Sequence, residues 1–253
     1  MTSAQVFLIS FAAMSAGIAF GRLLRSSVPN GKLDADSKEV IKLGTGLVGT
    51  LAALVLGLMT ASAKTSYDTQ NTNIRTLAAQ LILVDQLMVQ YGPEADDLRR
   101  FTREAANTMV DRIWREGATS SSKISAFSSS HVGGKFYSAI DALSPKNDEQ
   151  RALKSRIIDT SFEIARVRLA IFTRLDSSIP IPFLVVLMIW VTVIFTSFGL
   201  FAEQSTLVFA ALLVFALSVS SSLFLILELT HPFAGLMQIP SEYLKDVLPA
   251  LSS

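Results

Sequence analysis

The chain has no cysteine and only two histidines, His131 and His231, among its 253 residues. Disulfides, thiolate nucleophiles and thiolate metal sites are thereby excluded. There is no HExxH or comparable ligand spacing, no G-x-S-x-G elbow, no phosphate-binding glycine loop and no pair of aspartates inside an apolar run. The serines at 120–122 and 128–130 have no base near them in sequence, so they read as a solvated loop rather than as nucleophiles. No catalytic residue, metal site or cofactor is expected, and the chain does not read as an enzyme. A surplus of either charge is also missing. The formal net charge is +1 and no run of like charges marks a tail, so nucleic acid drops out as a partner.

What the chain has instead is apolar length. Half of its residues are hydrophobic, and four runs, 1–21, 43–63, 177–202 and 204–227, carry no charged side chain. At about 1.5 Å per helical residue, each bridges a hydrocarbon core of roughly 30 Å. Most charged side chains fall between Lys64 and Asp176, so lipid is the solvent of the four runs and water that of the middle. The expected fold is an all-α membrane protein with four transmembrane helices and a helical extramembrane domain inserted between the second and third. Residues 1–63 hold the first two spans and their loop, 64–178 the extramembrane domain, 179–228 the last two spans and 229–253 an interfacial C-terminal tail. The first run lacks the basic flank of a secretory signal and is long for one, which predicts a retained helix.

Small residues pattern the first two spans. Ala13, Gly17 and Gly21 line one face of the first, predicting close approach of another helix. Pro29, Asn30 and Gly31 read as a turn, and Asp36 with Glu39 has the spacing of a capping box that starts the second helix outside the membrane. In the second span Gly49, Ala53, Gly57 and Ala61 follow one another at i+4, behind Gly44 and Gly46, with Thr45, Thr50 and Thr60 as its hydroxyls. Such a stripe reads first as helix packing and second as the lining of a pore.

The middle reads as helices. Leu77, Leu81, Val84, Met88 and Tyr91 form one apolar stripe that stops at Gly92. Pro93 with Glu94, Asp96 and Asp97 opens another, carrying Leu98, Phe101, Ala105, Met109 and Ile113. Gly117 to Gly134 reads as a loop. Ser144 and Pro145 have the pattern of an N-cap and first helical residue before a stripe of Leu153, Ile157, Ile164, Val167, Ile171 and Leu175. Arg166, Arg168 and Arg174 near its end suit a membrane interface. Pro180 and Pro182 mark the entry to the third span, and Glu203 with Gln204 a hairpin to the fourth. After the fourth, Glu228 and His231 are spaced to share a helix face as an acid and imidazole pair, or else to act as plain interfacial residues. A short amphipathic turn from Ser241 to Leu248 follows, with Tyr243, Leu244, Val247 and Leu248 on its apolar side.

This order of parts, with Leu43 to Lys64, the turn Tyr91, Gly92, Pro93, the stretch Ser197 to Phe201, and Glu228, Leu229, Pro232, Phe233 and Gly235 after the last span, resembles the bacterial bestrophin-like membrane protein family. The resemblance implies a multi-pass protein of the bacterial inner (plasma) membrane, a ring-like homo-oligomer, and an ion (anion) channel whose second helix lies nearest the axis. Bestrophins proper carry Asn-Pro-Phe-Gly and an acidic calcium-binding cluster after the last span. Here Ala234 separates Phe233 from Gly235 and no acidic cluster follows, so calcium gating is not carried over. The aromatic constriction of the bestrophin pore is likewise missing between Leu43 and Ala63.

The pore or packing candidates are therefore Thr45, Gly49, Thr50, Ala53, Gly57, Thr60 and Ala61, and the C-terminal motif is Glu228, His231, Pro232, Phe233 and Gly235. The expected partners are the lipid bilayer, further copies of the chain and small ions. The alternative is a non-conducting membrane scaffold or sensor that binds a protein through its extramembrane helices, favoured by the lack of charge within the spans. Orientation divides two arguments. Arg22, Arg25, Lys32, Lys38 and Lys42 place the first loop in the cytoplasm by the positive-inside rule. The resemblance places residues 64–178 there instead, and the reading follows the resemblance.

Overall fold

The computed structural model describes residues 2–27, 35–116, 131–174, 181–202 and 205–246. The described residues form helices joined by turns, with no strand among them. In order come α1 (Ser3–Ser27), α2 (Ala35–Tyr91), a 3-10 turn (Pro93–Ala95), α3 (Asp96–Asp111) running into a π-helical turn (Arg112–Glu116), α4 (His131–Ala142), α5 (Asp148–Arg174), α6 (Ile181–Phe201), α7 (Thr206–Leu229) and the single turn α8 (Glu242–Lys245). The helices α1, α2, α6 and α7 are long and apolar enough to cross a membrane.

The second span and the first helix of the middle region are one continuous helix of 57 residues, about 85 Å long at the usual rise. No glycine or proline interrupts the chain from Leu58 to Tyr91, so nothing breaks the hydrogen-bond ladder as the surroundings change from apolar to polar. It ends at Gly92, whose φ of 114° L side chains rarely adopt, immediately before Pro93.

The chain forms two compact units. The first comprises Met1–Ser66 and Ser178–Thr230. In it α1 packs against α6 and α7. Met14 and Ile18 of α1 join Leu187, Val191 and Phe195 of α6, Leu212, Ala216, Leu223 and Ile226 of α7, and Ala52, Met59 and Ala63 of α2 in one apolar cluster. The small residues of α1 do what their spacing predicts. A Cβ on Gly17 would come within 2.9 Å of Thr196 Oγ1 and 3.0 Å of the Thr192 carbonyl oxygen. Gly199 of α6 in turn admits the backbone of Ile18.

The second unit comprises Tyr67–Ser177 and His231–Ser253. One of its clusters joins Ile74, Leu77 and Leu81 of α2, Met109, Val110 and Ile113 of α3 and its π turn, Ile171 of α5, and Phe233, Ile239 and Leu244 from the C-terminal segment. The other joins Val84, Met88 and Tyr91 to Leu98, Ile140, Leu153 and Ile157.

Three local expectations change. The first turn of α2 already contains Asp36, so that side chain supports the helix dipole rather than standing outside as a cap. His131 to Gly134 belong to α4 and not to a loop, while residues 117–130 lie outside the described residues. Helix α5 starts at Asp148, not at Pro145, because Asn147 is its cap: Asn147 Oδ1 accepts the Gln150 N–H at 2.7 Å. Helix α7 stops at Leu229, so Glu228 lies in its last turn and His231 just beyond it. The turn at Pro29 to Gly31, the hairpin at Glu203 and Gln204, Pro180, Val247 and Leu248 lie outside the described residues, and Pro182 sits in the first turn of α6.

Candidate functional site

Around the α2 axis the span carries two contrasting rows. Thr45, Val48, Ala52, Val55, Leu56, Met59 and Ala63 face the packed side, with Ala52, Met59 and Ala63 buried. Thr45 belongs to this side. Its hydroxyl lies 2.8 Å from the Ile41 carbonyl oxygen and 3.0 Å from Ser197 Oγ, its single proton serving one or the other.

The second row steps by three or four through Lys42, Gly46, Gly49, Ala53, Gly57, Thr60 and Lys64, with Thr50 and Ala61 at its edge. All of these are exposed in the single chain except Gly49, which is half-exposed. A Cβ built on Gly44, Gly46, Gly49 or Gly57 would meet nothing within 4 Å. The Thr50 and Thr60 hydroxyls donate to the Leu47 and Leu56 carbonyls, each at 2.8 Å, so the row offers hydroxyl oxygens without leaving unsatisfied donors. Of the four spans, α2 is the least covered, with 17% of its apolar window buried against 33% for α1. The structure thus separates two glycine stripes that look alike in sequence: the one on α1 is filled by α6, and the one on α2 is open.

The C-terminal end of α1 is tied by arginines to the end of α6 and to α7. Arg25 donates to the Ala202 carbonyl just past the end of α6, where a cation also suits the helix dipole. Arg22 sits over the Phe209 ring at 4.6 Å from its centroid.

The C-terminal motif divides in its surroundings. Glu228 is buried near the end of α7, whereas His231 is exposed. Phe233 is buried edge-on against Trp114, with ring centroids 5.6 Å apart. Gly235 takes a φ of 90°, and the turn closes when the Ile239 N–H donates to the Pro232 carbonyl at 2.7 Å. Trp114 Nε1 donates to the Ile239 carbonyl at 2.9 Å, and Arg75 both donates to Tyr243 Oη at 2.8 Å and lies over its ring. Sequence reasoning missed Trp114 as the anchor of this segment. The only signal was an aromatic side chain at the end of an amphipathic helix.

Electrostatics in the second unit centre on three places. Asp85, buried on α2, accepts both arms of the Arg99 guanidinium at 2.9 and 3.2 Å, and that hydrogen bonding raises the Arg99 pKa. Lys146 Nζ donates to Glu94 Oε1 at 2.5 Å, which holds the Glu94 carboxyl below its ordinary range and lifts Lys146 above its own. Burial lowers the pKa of Arg168 on α5, with Tyr137 opposing the shift and Arg112 adding to it.

Four membrane-length helices with a helical insert define an all-α membrane protein, and its distinguishing surface is the uncovered row on α2. The sequence model of the bestrophin-like domain matches residues 12–244, so the chain belongs to the bestrophin-like domain family. No curated protein and no solved structure gives a match.

Proposed function

We propose that this chain is one subunit of a homo-oligomeric, passive ion-conducting pore in a bacterial inner membrane, with the open row of α2 facing the conduit. The observation that carries the reading is the contrast between stripes. Gly17, Gly21 and Gly199 are closed by backbone within the chain, but Gly46, Gly49 and Gly57 have open space where a Cβ would sit. A glycine row gives little apolar surface to lipid, so its uncovered state is better suited to a neighbouring helix or to water. Lys42 and Lys64 stand at the two ends of that row. Repeated around a ring, they would form cationic mouths that favour anions over cations.

A second reading draws on a different observation. Ile82, Leu83 and Val89, on the part of α2 belonging to the second unit, are each more than 40% exposed. Such a face suits a scaffold or sensor that binds a protein partner. The experiment that separates the two is halide flux into liposomes holding purified protein, with Gly57→Trp and a Lys42→Glu, Lys64→Glu double variant beside the wild type. Flux lost in the first and shifted towards cations in the second supports the pore. No flux in the wild type at any pH or voltage rejects it.

A further inference from the structure

We propose that the turn from Gly235 to Gln238 is a lipid anchor that sets Leu236 and Met237 into the bilayer interface. Both ends of this turn are fixed to the second unit. Pro232, Phe233 and Ile239 are buried, and the Ile239 N–H donates to the Pro232 carbonyl at 2.7 Å. Trp114 packs against Phe233 and donates to the Ile239 carbonyl. Gly235, at its φ of 90°, reverses the chain between these two fixed ends.

What the closed turn presents outward is apolar. Leu236 is 82% exposed and Met237, beside it, 39%. One exposed leucine on a protein surface is ordinary, but here no neighbouring charge keeps the tip in water. Between Glu228 and Glu242 the sequence has no Asp, Glu, Lys or Arg. The amphipathic turn that follows does not fill this role, because Leu244 is buried in the cluster with Ile74 and Ile113, and Tyr243 packs against it.

The place of the turn in the chain names its occupant. The chain passes between the two units after residues 66, 177 and 230, each time within or beside a helix of membrane length. Inside the second unit the residues near these crossings meet. Gln70 Nε2 donates to the Ile171 carbonyl at 3.3 Å, and Ile74, Ile171, Phe233 and Ile239 share one cluster. One end of the unit therefore carries all three connections to the spans, and the turn is built on that end. Leu236 follows the last residue of α7, Leu229, so closely that even an extended chain keeps it within roughly 25 Å of the helix end. Apolar side chains held there without charge suit the boundary of headgroups and acyl chains, which needs no shape complementarity. Such an anchor serves a pore and a scaffold alike.

The lack of cysteine makes the test direct, because one introduced thiol takes a spin label at one place only. The full chain carrying Leu236→Cys is labelled and reconstituted into liposomes of phosphatidylcholine and phosphatidylglycerol. Glu149→Cys, on the exposed first turn of α5, is the control. Collision of each label with molecular oxygen, which concentrates in hydrocarbon, is compared with collision with a water-soluble nickel chelate. The label at 236 is expected to favour oxygen, at a depth of about 5–10 Å into the boundary of headgroups and acyl chains, while the label at 149 favours the chelate. Chelate access at 236 equal to that at 149 overturns the anchor. Shielding of 236 from both reagents overturns it as well, since the turn then lies against protein, a second copy included. Met237→Cys carries the same measurement if Leu236→Cys does not fold.

Discussion

Gly21 on α1 lies so close to Thr196 on α6 that the Thr196 carbonyl oxygen occupies the place a Cβ at position 21 would take. Backbone cannot yield as a flexible side chain can, so Gly21→Ala must push the two helices apart. A loss of about 1–3 kcal/mol is expected, as for other overpacked contacts. Thermal unfolding in detergent checks this, and an unchanged midpoint would refute the packing described for α1.

Gly57→Leu is the counterpart on α2. Open space surrounds that position in the single chain, so the unfolding midpoint of the subunit is expected to stay near the wild-type value. Assembly and ion flux are expected to fail, read by light scattering of the purified protein and by the liposome assay. Retained flux would remove α2 from the conduit.

Asp85→Asn leaves Arg99, whose side chain is 17% exposed, without its counter-charge. The expected cost is about 3 kcal/mol, most of it from the stranded guanidinium. Adding Arg99→Met should recover much of the loss, and a double-mutant cycle by denaturant unfolding measures the coupling.

The Glu94 and Lys146 pair gives a pH dependence whose sign is fixed. Glu94 has a depressed pKa when folded, so its contribution is present above the ordinary glutamate pKa and fades as pH falls through the folded value. Lys146 has a raised pKa, so its contribution is present below the ordinary lysine pKa and fades as pH rises through the folded value. The difference in melting temperature between wild type and Glu94→Gln should therefore be largest around neutrality and vanish at both extremes. A difference independent of pH would show that the pair contributes nothing electrostatic.

Trp114→Phe keeps an aromatic ring against Phe233 but removes the donor to the Ile239 carbonyl. A loss of about 1–2 kcal/mol is expected, with faster amide exchange from Phe233 to Leu244 as the more specific readout. Unchanged exchange there would mean that the indole N–H does not hold the segment.

The spans were legible because absence of charge over twenty residues has one dominant physical cause. The continuity of α2 was also written in the chain, in the lack of any glycine or proline from Leu58 to Tyr91, but the change from apolar to polar composition at Lys64 disguised it. Asn147 displaced Ser144 as the cap of α5 because both residue types serve, and only the packing of the helix on its neighbours chooses between them. The glycine stripes of α1 and α2 carry the same pattern, and no sequence rule states which of them a partner helix fills. Thr45 was grouped with Thr50 and Thr60 by residue type, yet Ser197 draws it to the packed side. The contact of Trp114 with Phe233 joins residues more than a hundred positions apart and has no local signature.

Phe233, Ile239 and Leu244 complete a cluster whose other members begin at Ile74. During synthesis, Ile74, Leu77, Val110 and Ile113 emerge long before these three, and two membrane-length helices must be made in between. Until residue 244 has left the ribosome, the apolar face that Phe233, Ile239 and Leu244 cover stays open. Its maturation is therefore timed by membrane insertion of α6 and α7, and a chain stalled after Thr230 would present that surface to chaperones and proteases.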